Sequence, residues 1–306
     1  GNTKERPLGF AAHMDQIEPC RNVNPVINGN IISTDKTTTL GGDDKAGISA
    51  IMEAVEDIIE SGVPHRDIYL VFTCSEEISM MGTKHMDMSM LPCKELVVVD
   101  ATGGAETLAY KAPAMEAIEI TFKGKKAHAG IEPEKGINAI VVASKAISKM
   151  HIGRIDYETT SNIGHIEGGS ATNIVADEVT FTAEIRSHSM EKLAAEVAHM
   201  EQCCKEAVEE MGACYEMKHE MAYPVLSLEE DCELIQDTVN AMAEERITAN
   251  KMIIGGGSDA NVLAGHGYKS VILGCGMINV HTVEEALDTE ETWKVTKVLR
   301  RLMGAE

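Results

Sequence analysis

The chain has 306 residues, 44% hydrophobic and 25% charged, ordinary for a globular protein and enough for one large domain plus a smaller one. Its 49 acidic against 27 basic residues leave a formal net charge of -22. That balance disfavours nucleic acid or an anionic membrane as partner, since both need Lys and Arg against phosphate, and no apolar run approaches the roughly 18 residues of a membrane span.

Eight cysteines are scattered without a Cys-x-x-Cys pair, so reduced thiols and a cytoplasmic location are expected. Any metal would then be held by oxygen and imidazole.

Leu8 to Ala12 reads as a short buried strand that delivers His13-Met14-Asp15. Alternate residues of extended chain share a face, so His13 and Asp15 point the same way, and a carboxylate there can fix an imidazole's tautomer. Leu40-Gly-Gly-Asp-Asp-Lys-Ala-Gly47 follows. Its glycines allow an unusual turn, and one of Asp43 and Asp44 is expected to cap the next helix. That helix, Lys45 to about Ser61, carries Ile48, Ile51, Met52, Val55, Ile58 and Ile59 at helical spacing.

Asp67 to Thr73 reads as a second buried strand, ending in the adjacent carboxylates Glu76 and Glu77. Side by side at the carboxyl edge of a parallel sheet, one can ligate a metal while the other moves a proton. Leu96 to Asp100 is a third such strand, closing on another acid and followed by Thr102-Gly-Gly104.

From about residue 112 the order changes to strand (Glu116–Phe122), helix (Gly136–Met150), two strands (Ser161–Ile166, Glu178–Arg186), helix (Met190–Met211) and strand (Ala213–Met221). β-α-β-β-α-β is the ferredoxin-like pattern. The expected organisation is a catalytic domain in two parts, 1–111 and 223–306, around an inserted domain at 112–222. Past the insertion, Leu228 to Glu245 reads as a helix and Met252 to Ile254 as a strand running into Gly255-Gly-Gly-Ser-Asp-Ala-Asn261. A helix to Ala264 and a strand from Ser270 to Leu273 come next. His281 then stands just before an acidic helix start, and a helix from Thr289 to Met303 closes the chain.

His13-x-Asp15, Asp43-Asp-Lys45, Glu76-Glu77, Asp100 and His281 form one ordered set of imidazoles and carboxylates without thiols, suited to a pair of divalent, zinc-like ions. In that order they resemble the co-catalytic zinc peptidases that include glutamate carboxypeptidase and aminoacylase. Leu40–Gly47 and Gly255–Asn261 resemble most the peptidase T branch, the tripeptide aminopeptidases. The resemblance covers nearly the whole chain. It implies an α/β catalytic domain with a mixed sheet flanked by helices, and an inserted ferredoxin-like α+β domain serving as lid and dimerisation unit.

Carried over motif by motif, the resemblance makes Asp43 a ligand bridging two divalent ions per chain, zinc first, cobalt or manganese otherwise. His13 and Asp100 would complete one metal site, Glu77 and His281 the other. Asp15 would orient His13, and Glu76 would be the general base for a water bridging the metals. His128, in Ala127-His-Ala-Gly130, would stabilise the oxyanion, in the family often across a dimer, while Asn173 and Arg186 would hold substrate. The implied function is hydrolysis of short peptides by an aminopeptidase that works as a homodimer. The alternatives are a related carboxypeptidase or N-acyl amino acid amidohydrolase and, from another class, a non-catalytic binding relative. Ala176 stands where the family has proline, so a looser loop is expected at Asn173. Ser79 stands where glycine is usual, so an altered turn is expected there. Family members carry a further helix and strand upstream of the first metal strand, so a shortened chain is expected.

Overall fold

The structure, a computed structural model, describes residues 1–304. The chain opens with β1 (Leu8–His13), β2 (Pro25–Asn28), β3 (Ile31–Thr34), α1 (Gly42–Ser61), β4 (Ile68–Thr73), α2 (Met81–Lys84), β5 (Glu95–Thr102) and β6 (Thr107–Ala112). It continues with β7 (Ala114–Lys123), α3 (Ala139–Ile147), β8 (Gly153–Arg154), β9 (Thr159–Gly168), β10 (Glu178–Ser187), α4 (Met190–Met211) and β11 (Cys214–Tyr223). Then come β12 (Leu226–Ser227), α5 (Glu233–Glu244), β13 (Asn250–Ile253), α6 (Asp259–Gly265), β14 (Lys269–Ile278), β15 (Ala286–Asp288) and α7 (Thr289–Leu302). Two compact units result: Gly1–Ala112 with Leu226–Glu306, and Pro113–Val225.

The first unit is built on parallel strands in the order β14-β5-β1-β4, with antiparallel β15, β3 and β2 added beyond β14. Every residue of β1 is buried, because both faces of the sheet are covered. Leu8, Phe10 and Ala12 join Val97 and Val99 of β5 in a core with α1, α5 and α7. Ala11 joins Leu96 and Val98 on the opposite face, with Ala260 and Leu263 of α6. The chain runs from β1 to β4 on one side, then to β5 on the other. The strand order therefore reverses at β1, and a crevice opens at its carboxyl end, where open α/β sheets bind ligands.

α1 packs on this sheet through Ala46, Ala50, Ile51, Ala54 and Ile58, and ends at Gly62 in the left-handed region, whose N–H returns to Ile58 O at 3.1 Å. Met52 and Ile59, expected in the buried stripe, are 48% and 73% exposed. Their positions lie about 100° round the helix from Ile51 and Ile58, and small alanines take the sheet-facing places. α5 begins at Glu233 rather than Leu228, because Leu226–Ser227 pairs with β6 and Leu228 N donates to Tyr110 O at 3.1 Å.

The second unit is one antiparallel sheet in the order β11-β7-β10-β9-β8. Leaving aside the two-residue β8, this is the ferredoxin-like order 4-1-3-2. β7 alternates buried and half-buried residues, and its Ile118, Ile120 and Phe122 face Val142, Ala143, Ala146 of α3 and Leu193, Met200, Cys204 of α4 in a single core. Ser189 caps α4 by accepting the Lys192 N–H.

Candidate metal centre

His13 is the last residue of β1 and 2% exposed. Its Nε2 lies 2.9 Å from Asp43 Oδ1 and 3.7 Å from Asp100 Oδ1; its Nδ1 lies 3.4 Å from Asp15 Oδ1. Asp100 arrives on β5, one strand away. Beyond β4 the chain turns through Ser75 in the left-handed region and presents Glu76 and Glu77. Asp15 pins that turn, its two oxygens accepting the Glu76 N–H at 2.9 Å and the Glu77 N–H at 3.1 Å. Asp15 thus orders both acids as well as facing His13.

His281 comes from the loop between β14 and β15. Its Nε2 is 3.2 Å from Asp43 Oδ2 and 3.0 Å from Glu77 Oε2. The Asp43 carboxylate therefore stands between the two histidines, one oxygen to each. His13, Asp43 and Glu77 offer ligand atoms within 4.8 Å of one another, and so do His13, Asp44 and Asp100.

A cleft of about 480 Å³ opens on this group. Asp43, Glu76, Asp100 and His281 line it together with the apolar Met252, Ile253, Ile254, Met277 and Val280 and with Gly255–Gly257.

In the second unit, His128 and Asn173 sit on neighbouring loops tied by Ala129 N to Asn173 O and Val175 N to Ala127 O, both 3.0 Å. Ala176 O accepts Ala139 N at 2.8 Å, so the Asn173 loop is fastened without the family's proline. Arg186, on β10, holds Glu184 through two bonds, Nε to Oε1 at 2.9 Å and Nη2 to Oε2 at 3.0 Å. The turn after Glu77 keeps the left-handed backbone suited to glycine, with Ser79 at φ 72° and Met80 at φ 57°.

Residues 12–131 match the model of the M42 glutamyl aminopeptidases, and residues 115–212 match that of a peptidase dimerisation domain. The uncharacterised protein YqjE of Bacillus subtilis is 40% identical over 98% of this chain and 81% of its own length. Aminopeptidase PepT from Bacillus cereus superposes with a TM-score of 0.90 at 37% identity, and a tripeptidase from Staphylococcus aureus with 0.93 at 35%; each comparison covers 97% of this chain and 80% of the other. The chain belongs to the peptidase T-like branch of the M20 metallopeptidases.

Within this peptidase T-like chain the adjacent aspartates have separate tasks. Asp44 is fully buried and caps the regular part of α1, Oδ1 accepting the Gly47 N–H at 3.2 Å while Oδ2 accepts the His13 N–H at 3.2 Å. It is a strut between β1 and α1, which leaves Asp43 free to face the histidines. Two buried acids were missed in the sequence. Asp259 of α6 accepts the hydroxyls of Thr73 and Thr83, holding the end of β4. Glu285, 2% exposed, accepts the N–H groups of Leu40 at 2.7 Å, Gly41 at 2.9 Å and Asp43 at 2.9 Å. The Ser-Asp of Gly255–Asn261 was a visible signal for Asp259; for Glu285 there was only an acid four residues after His281.

The residues present fit a pair of divalent cations. Glu77 Oε1 is buried and makes no hydrogen bond. Burial, reinforced by neighbouring carboxylates, holds Asp100 well above the usual range and pushes Glu76 up to about 8 and Glu77 upward. Burial also raises Asp44, despite the attraction of His13. Burial lowers His13, but its bond to Asp43 and the charges of Asp44, Asp43 and Glu76 outweigh this and push it up to about 9. So dense an acid cluster calls for positive charge, and the donor set of imidazole and carboxylate suits zinc-like ions.

Proposed function

We propose that this metallopeptidase is an aminopeptidase for short peptides, using two divalent ions, zinc by preference. Asp43, His13, Asp100, Glu77 and His281 would hold them, His13 and Asp100 serving one site and Glu77 and His281 the other, with Asp43 shared. The observation that carries this reading is the Asp43 carboxylate standing between two histidines, with Glu76 beside it on the cleft wall. When bound, the ions would polarise the scissile carbonyl and make the attacking water more acidic.

Glu76 takes the proton from the attacking water and passes it to the departing amine nitrogen. Asp15 keeps Glu76 in place through the backbone of the turn and orients His13. The apolar stretch from Met252 to Ile254 holds a side chain of the substrate and keeps bulk water back. The acids around the metals receive the free ammonium group. His128, as stabiliser of the oxyanion, and Asn173 and Arg186, as contacts to the substrate's carboxyl end, complete the proposal on the strength of their motifs. A homodimer through the second unit belongs to the same reading, supported by the match to a dimerisation domain. A cytoplasmic location does too, supported by eight free cysteines.

The test is cleavage of a free tripeptide against its N-acetylated form by metal-reconstituted protein. An aminopeptidase loses most activity on acetylation. Retained or increased cleavage would favour the carboxypeptidase or acylase instead.

A further inference from the structure

We infer that Glu285 is a positioning residue for the metal centre, and that it chiefly supports the half formed by Glu77 and His281. The inference rests on the two-metal reading above and concerns a residue outside its ligand set.

Three backbone N–H groups of one short turn, those of Leu40, Gly41 and Asp43, converge on the Glu285 carboxylate. Gly41 lies in the left-handed region at φ 77°, so successive amides face the same way and form a concave anion-binding nest. Glu285 is the anion that fills it. Space there is tight: a Cβ on Gly42 would come within 3.3 Å of Glu285 Oε1. The turn ends in Asp43, whose own N–H is one of the three, so Glu285 holds the backbone that aims the bridging carboxylate.

Glu285 also belongs to the loop that carries His281. That loop bends through Asn279 at φ 51° and His281 at φ 63°, and is closed by Glu285 N donating to Thr282 O at 3.1 Å. One side chain therefore fastens the His281 loop to the Asp43 turn. The two halves of the centre depend on this unequally. His13 and Asp100 lie on β1 and β5, whose backbones the sheet already fixes. Glu77 and His281 lie on loops, and His281 is 54% exposed. Loosening Glu285 lets the His281 loop drift, while the strand-borne pair stays in place.

The experiment is calorimetric titration of metal-stripped protein with Co²⁺, for wild type, Glu285→Gln and Glu285→Asp, with thermal melting of each metal-free protein as a control. Gln keeps the size but turns an NH2 toward the amides; Asp keeps the charge but draws it back. Wild type should take up two equivalents. Both variants should bind both equivalents more weakly, because Asp43 is shared, but the second should lose more than the first, by about 10- to 100-fold, the usual cost of removing a group that orients a ligand. Two unchanged affinities would overturn the inference, as would equal weakening of both equivalents. Loss of folded protein in both variants would also overturn it, making Glu285 a prop of the fold. A wild type that binds one equivalent would overturn the two-metal reading and this inference together.

Discussion

At the scale of single residues, Glu76 and Glu77 are neighbours with the same chemistry, yet only Glu77 reaches His281. Glu76→Gln should lower kcat by about 10²- to 10⁴-fold, the range for losing a general base, with metal content by elemental analysis nearly unchanged. Glu77→Ala should instead lose metal in the same measurement. The raised groups also give metal-stripped protein a pH dependence with a definite sign. Folded Glu76 binds its proton up to about pH 8 against an ordinary value of 4.5, and folded His13 up to about 9 against 6.5. In both cases the folded chain holds more protons than the unfolded one within the window. Stability is greatest below the unfolded values and falls as pH rises, most steeply between 6.5 and about 8, where the windows overlap. Thermal melting of EDTA-treated protein should show Tm falling across that interval, and divalent metal should remove most of the slope.

At the scale of elements, α1 shows how a helical stripe is selected. Ile48, Ile51, Met52, Val55, Ile58 and Ile59 all satisfy the spacing of an amphipathic helix, but the sheet accepts an arc centred on Ala50, Ala54 and Ile58. Ile58→Ala removes a fully packed side chain and should cost about 2–5 kcal/mol. Ile59→Ala, one residue on and mostly exposed, should stay within about 0.5 kcal/mol. Denaturant unfolding of the metal-free forms compares them directly. β1 and β5 were readable because buried parallel strands are continuous apolar runs, whereas β4, expected to be buried like them, is the half-exposed edge of the sheet with Leu70 40% exposed. The short strands β2, β3, β12 and β15 were not, since four residues or fewer hold their shape only through the partner beside them.

At the scale of the whole molecule, the second unit presents a ferredoxin-like sheet whose edges are β11 and β8. If it pairs with its counterpart as proposed, light scattering at micromolar concentration should give about twice the 33.0 kDa of one chain. A monomer with full activity would remove the dimer from the proposal. If Arg186 contacts the substrate's carboxyl end as proposed, Arg186→Ala should raise KM or lower kcat for a tripeptide while leaving metal uptake intact. Part of any change in stability will come from releasing Glu184, which now shares two bonds with the guanidinium.

By itself the sequence determined the kind of chemistry. It places imidazoles and carboxylates where strands end, and it shows the change from β-α alternation to β-α-β-β-α-β. Those signals are local: period, composition and the residue after a strand survive without knowledge of what lies opposite. Residue type left open which of two adjacent aspartates faces the histidines; the motif implied Asp43, and the tertiary structure supplies the reason, Asp44 being drawn inward by the amides of His13 and Gly47. Tertiary structure alone brought Glu285 to a turn 242 positions earlier in the chain, at Asp43. A side chain that fills an anion-binding turn has no periodicity, and its partners are backbone N–H groups that every residue but proline carries. Nothing in the order of residues marks such a pair until the sheet brings its loops together.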